Sequence, residues 1–150
     1  MVRVVRSARI EAPVTRVWAI VADVEGWPRW TCAPYASESV AWEPPGGSTF
    51  VLKGRSPYKL TARVTERAEP RSFRFEFTAS EYPSDRLFLA RAEAGFHLEA
   101  VDAESTVVTY EHSAEGRGLL GRAYMATIFR LFLMRNASRI VAGLRRAATP

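Results

Sequence analysis

Two stretches of strict alternation leave the second half of this chain few ways to fold. Phe73, Phe75 and Phe77 alternate with Arg74 and Glu76, and Ala92, Ala94, Phe96, Leu98 and Ala100 alternate with Arg91, Glu93, His97 and Glu99. A period of two places one residue set on each face of a β-sheet, so one face is apolar and the other wet. After Gly116-Arg117-Gly118 the period changes, and a long helix is expected from about Leu119 to about Ala147. A sheet with a single apolar face must cover it, and a concave sheet gripping that helix is the simplest packing.

The first half supplies the rest of the sheet. Val2 to Ile10 reads as a strand, and Pro13 supplies the fixed φ suited to the first turn of a helix through Val14, Val17, Trp18 and Val21. Gly26 and Pro28 interrupt that pattern and leave a short turn or second helix carrying Trp27 and Trp30. Six further strands are expected at Glu38 to Glu43, Ser48 to Arg55, Tyr58 to Ala68, Arg71 to Ala79, Leu87 to Val101 and Ser105 to Ser113. The breaks between them are short and rich in Pro, Gly, Ser and Asp, among them Tyr82-Pro83-Ser84-Asp85, as in antiparallel hairpins. The fold class is α+β: a curved antiparallel sheet of about seven strands round a long C-terminal helix, with two short helices after strand one.

Composition narrows the functional classes. The 150 residues match one domain, 1–150, and 47% hydrophobic with 25% charged residues is an ordinary globular mixture. The net charge of +5 is carried almost wholly by arginine, scattered from Arg3 to Arg146 with acids between, and only Lys53 and Lys59 are lysine. No zinc-finger spacing, helix-turn-helix pattern or RNA-binding aromatic signature accompanies it, so no nucleic-acid partner is expected. Cys32 is the single cysteine, which excludes an intrachain disulfide and thiol metal clusters; no metal or cofactor is expected, and a reducing cytoplasm is. The N-terminal stretch lacks the apolar run of a secretory signal. Ala123 to Met134, the most apolar segment, is broken by Arg130 and too short to span a bilayer.

The opening string carries more specific information. Ile10, Ala12, Pro13, Val17, Trp18, Asp23, Trp27, Pro28 and Trp30 match the typical start of the START-like helix-grip superfamily, within it the polyketide cyclase/dehydrase and lipid-transport branch, which the chain resembles. Phe96, Leu98 and Glu99, then Thr106, Val108 and Tyr110, are similar to its last two strands, and the final helix extends the resemblance to nearly the whole chain. The resemblance implies a pocket between sheet and helix for a lipid, sterol, quinone or polyketide. It does not imply one reaction, because members with and without catalysis share these motifs.

At 100° per residue the long helix turns Leu119, Ala123, Ala126, Leu133, Ala137, Ile140, Val141 and Leu144 toward the sheet. The alanines leave room opposite Phe75 and Phe96, and the expected lining is Phe50, Leu52, Leu60, Phe75, Phe96, Val108, Tyr110 and Ala126. The competing reading is that these side chains pack solid. Arg130 falls on the same arc, either to anchor an anionic group or to snorkel outward or pair with an acid. Tyr110 and His112 share a strand face and offer a phenol and an imidazole for proton transfer, or else a buried hydrogen-bonded tyrosine and a rim histidine. Trp27, Trp30 and Tyr35 lie where the family has its lid or entrance, to touch a ligand or to staple the short helix to the sheet.

On the opposite helix face Tyr124, Ile128, Leu131 and Phe132 form an apolar patch continued by Arg135, Arg139 and Arg146, suited to a homodimer or a peripheral membrane contact. Three functions therefore compete. The first is binding or carriage of a hydrophobic small molecule, and the second an aromatase/cyclase or dehydrase using Arg130, Tyr110 or His112 in the same cavity. The third is an interaction module using the helix patch.

Overall fold

A computed structural model describes residues 1–31, 39–54 and 57–150. Strand β1, Val2–Ile10, leads through Pro13 into helix α1, Val14–Ala22, and a 3-10 turn, Val24–Arg29. Strands β2, Ser39–Trp42, β3, Thr49–Lys53, β4, Lys59–Ala68, and β5, Ser72–Ser80, follow as a meander. Helix α2, Pro83–Phe88, stands before β6, Leu89–Asp102, and β7, Ser105–Gly116. The C-terminal helix comprises α3, Gly118–Tyr124, a π turn, Met125–Phe129, and α4, Arg130–Ala148.

All pairings are antiparallel and the sheet order is β1-β7-β6-β5-β4-β3-β2. The single crossover, from β1 to β2 at the far edge, passes through α1 and the 3-10 turn, which close one end of the sheet. Thr106 Oγ1 donates to the Ala12 carbonyl at 2.8 Å and fixes the start of that crossover against β7. Alternation delivers its faces as expected: Phe73, Phe75, Ala92, Ala94, Phe96 and Leu98 are buried, whereas Ala100 lies exposed near the β6–β7 turn. One expected turn is a helix. Pro83 at its first position and Asp85 in its first turn are helix-start chemistry.

Gly143 sets how closely the C-terminal helix approaches the 3-10 turn. A Cβ built there would stand 2.1 Å from the Trp30 carbonyl oxygen. Gly143→Ala is therefore expected to destabilise the fold by about 2–3 kcal/mol, because backbone must move to relieve the overlap. Urea unfolding measures this, and an unchanged midpoint would contradict the docking described.

Candidate functional site

The aromatic cluster under the 3-10 turn is closely packed among the described residues. Trp27 is fully buried, its ring centroid 5.4 Å from Phe50, 5.5 Å from Phe75 and 6.2 Å from both Phe73 and Phe96. Its indole Nε1 donates to the Val21 carbonyl at 2.9 Å, which aims the ring into the sheet. Trp30 packs on Trp27 and Phe96 at 6.5 and 6.3 Å. Trp27 fills the space opposite Phe75 and Phe96 where the sequence placed a cavity. Phe50, Leu52, Phe75, Phe96, Val108 and Tyr110 are core residues, and Trp27 and Trp30 staple the turn to the sheet. Tyr35 lies outside the described residues, as does Cys32.

Among the described residues an open space lies further along the sheet. A cavity of about 330 Å³ is walled by Leu60, Phe77, Leu89, Ala92, Tyr124, Ile128, Phe129, Phe132 and Leu133, with Tyr82, Ser84, Asp85 and His112 as its polar members. Leu60 and His112 are the sequence candidates brought to it. Ile128 and Phe132 are 67% and 42% exposed while walling it, so they mark its mouth.

The π turn explains why the helix face differs from its 3.6-residue reading. Downstream, Leu133, Ala137, Ile140, Val141 and Leu144 are buried as the periodicity requires. One extra residue in the turn at Met125–Phe129 rotates everything upstream by about 100°. Gly121 and Met125 are the buried residues there, and Leu119, Ala123 and Ala126 are exposed. Ala126 thus stands outside the cavity, while Tyr124 and Ile128, expected on the opposite face, wall it. Arg130 and Phe132 belong to α4 and keep their phase relative to Leu133; Arg130 is nonetheless exposed and outside the cavity wall, and Phe132, expected on the opposite face, stands at the mouth. Leu131 remains outside, 69% exposed.

His112 and Tyr110 both point inward from β7, 4% and 1% exposed. Tyr110 Oη and His112 Nδ1 are 3.2 Å apart, and the imidazole stacks on Phe77 at 5.7 Å. A phenol is the better donor and a neutral imidazole nitrogen the better acceptor, so the bond runs from Tyr110 to Nδ1 and leaves the ring proton on Nε2. Nε2 is buried and has no hydrogen-bond partner among the described residues. Burial lowers the His112 pKa from 6.5 to about 4, so the ring is neutral at pH 7.

The unfolded chain takes up this proton below pH ~6.5 and the native state only near pH ~4, so stability falls with pH across that window. The difference amounts to roughly 3 kcal/mol at the low end. Asp85 acts in the opposite sense. Burial raises its pKa, against the Ser80 hydroxyl that donates to Oδ2 at 2.7 Å, so its native state protonates before its unfolded state does. Comparing wild type with His112→Phe isolates the histidine: between pH ~7 and ~4.5 the wild type should lose about 2–3 kcal/mol more in urea unfolding. Equal losses would contradict a buried neutral imidazole.

Asp85 and Ser84 are not singled out by the sequence, because Tyr82-Pro83-Ser84-Asp85 reads as a turn. The signal was present in Pro83 followed by an acid two residues on, the start of the helix that carries both to the cavity. Among the described residues no cluster of three or more metal-ligating side chains occurs, and no helix is long and apolar enough to cross a membrane.

A sheet wrapped round a C-terminal helix, with a cavity between them, is the architecture anticipated from the opening motif, and a family model matches it over the same extent. The model described as polyketide cyclase/dehydrase and lipid transport matches residues 1–149. The chain belongs to this family. No curated protein matches it at a significant level. Among solved structures, the Zhui aromatase/cyclase from a Streptomyces strain is similar at a TM-score of 0.75 and 17% identity, covering 98% of this chain and 93% of that one. The di-domain aromatase/cyclase BexL aligns at 0.72 and 21% identity over 97% of this chain and 46% of its own. A START superfamily protein from Mycobacterium smegmatis aligns at 0.66 and 13% identity, covering 97% and 96%. These likenesses establish the START-like fold, and family membership makes a hydrophobic small-molecule ligand plausible for the cavity.

Proposed function

We propose that the protein binds and carries a small hydrophobic molecule, a lipid, quinone, sterol or polyketide-like compound, in the cavity between sheet and C-terminal helix. The observation carrying this is the cavity itself. Its volume of about 330 Å³ lies at the lower end of known ligand pockets, and its wall is mainly apolar with a few polar groups. His112 Nε2–H is positioned as the orienting donor. A buried donor left unmade costs about 1–3 kcal/mol, so a ligand carbonyl or ether oxygen placed there recovers that cost. With the imidazole neutral, this end of the cavity favours an uncharged ligand over a carboxylate. The proposal places this carriage in the cytoplasm, in keeping with a single cysteine.

Native mass spectrometry of the freshly purified protein tests the reading. The expected result is a non-covalent adduct of a neutral apolar molecule, displaced by menadione, a neutral naphthoquinone. Unliganded protein that also takes up no menadione would contradict it.

The Tyr110–His112 hydrogen bond supports a second reading, an aromatase/cyclase or dehydrase using the same cavity. His112 would then polarise a ketone oxygen through Nε2–H, with the Tyr110 hydroxyl donating to Nδ1 and so holding the ring proton on Nε2. Loss of cyclised product from a poly-β-ketone in Tyr110→Phe, with menadione binding retained, would favour catalysis over carriage.

A further inference from the structure

The C-terminal helix has a charge pattern that the cavity does not use. Seven arginines lie between Arg117 and Arg146, and from residue 117 to the end there is no aspartate or glutamate. None of the seven joins an ion pair among the described residues. Beside the first two, Arg117 and Arg122, stand large exposed apolar side chains: Leu119 at 83%, Leu120 at 78% and, on α2 next to Arg86, Leu87 at 66%. Helix α2 is held against α3, since Arg117 N donates to the Phe88 carbonyl at 2.7 Å and Phe88 stacks on Tyr124 at 4.7 Å.

This surface is continuous with the cavity mouth. Leu120, Tyr124 and Ile128 follow at intervals of four along one flank of the helix, and the last two wall the cavity. A cleft of about 180 Å³ shares Phe77, Asp85, Leu89 and Ala92 with the cavity and carries Arg86, Arg91 and Arg117 on its own walls. Bulky apolar residues flanked by Arg86, Arg91, Arg117 and Arg122, at the opening of an apolar cavity, suit the interface of an anionic lipid bilayer. A second copy suits it poorly, because a two-fold contact on this face would set arginines against arginines.

We propose that the face formed by Leu87, Leu119 and Leu120 with the neighbouring arginines docks on anionic bilayer surfaces and presents the cavity mouth to the membrane. The cargo rests on the binding reading above, whereas the docking itself does not. The leucines enter the headgroup boundary and the arginines remain at the phosphates, so a molecule moving between hydrocarbon and cavity need not cross water.

Co-sedimentation of the full chain with phosphatidylcholine vesicles, with and without phosphatidylglycerol, tests this. Binding is expected only to the anionic vesicles and should weaken with salt. Leu119→Asp/Leu120→Asp should weaken it about tenfold or more, and Arg117→Glu/Arg122→Glu similarly, each arginine near such a surface being equivalent to about fivefold in affinity. Both double variants should keep wild-type circular dichroism and menadione uptake, since Leu119 and Leu120 lie outside the cavity wall. Absence of anionic-vesicle binding, or binding untouched by the leucine pair, would overturn the proposal. So would a stable dimer in light scattering that the leucine pair dissolves. Vesicle binding without menadione uptake would leave docking standing and remove the cargo.

Discussion

Ala92→Trp is expected to weaken menadione binding by about a hundredfold or more while leaving the protein folded. Ala92 lies on β6 at the cavity wall, 7% exposed, among Phe77, Leu89 and His112. An indole there occupies the space a ligand needs, and an apolar ligand that cannot enter loses nearly all its contact area. The cavity already exists, so the larger side chain need not displace close-packed core, unlike an insertion beside Trp27. Ala92→Leu should fall between wild type and tryptophan. The informative control is Ala126→Trp: a regular 3.6-residue helix puts Ala126 in the pocket, whereas the π turn puts it in solvent. Fluorescence-quenching titration should show unchanged affinity for Ala126→Trp. The reverse order of effects would show that the helix phase described is wrong.

Trp27→Ala carries the largest expected stability effect. The side chain is fully buried, packs against Trp30, Phe50, Phe73, Phe75 and Phe96, and holds the 3-10 turn through its bond to Val21. Truncation loses the transfer energy of an indole and leaves a hole that a sheet, a turn and Gly143 packed on Trp30 cannot easily collapse. About 3–5 kcal/mol is expected, or a fall of roughly 10 °C or more in Tm. The new void would lie opposite Phe75 and Phe96, creating the cavity that the sequence alone suggested. Trp27→Phe should cost distinctly less. A Tm within a degree or two of wild type for Trp27→Ala would mean that the aromatic cluster is not the fold's anchor.

The sheet was legible in the sequence because period-two alternation registers directly as burial. All seven strands, the crossover helix and the long C-terminal helix lie close to where alternation, Pro13 and Gly116-Arg117-Gly118 place them. The cavity's location was not, for two separate reasons. No periodicity reports that Trp27, at the end of a short turn, reaches across the sheet to fill the nearest space. Nor does a 3.6-residue reading register a π turn, yet that turn decides whether Ala126 or Met125 faces inward. One hint was Thr127, whose hydroxyl donates to the Ala123 carbonyl at 2.7 Å, an arrangement that competes with regular helical bonding. Tyr110 and His112 were readable as an inward pair because a strand face is a simple alternation, whereas Asp85 was hidden in a helix mistaken for a turn.

Carriage in this cavity is tested most directly by following backbone and methyl resonances while menadione is titrated in. Saturable shifts at Leu60, Leu89, Ala92, Ile128 and Leu133, with His112 remaining neutral, are the expected outcome. Shifts confined to residues around Trp27 and Phe50, or no saturable shift anywhere, would contradict the account.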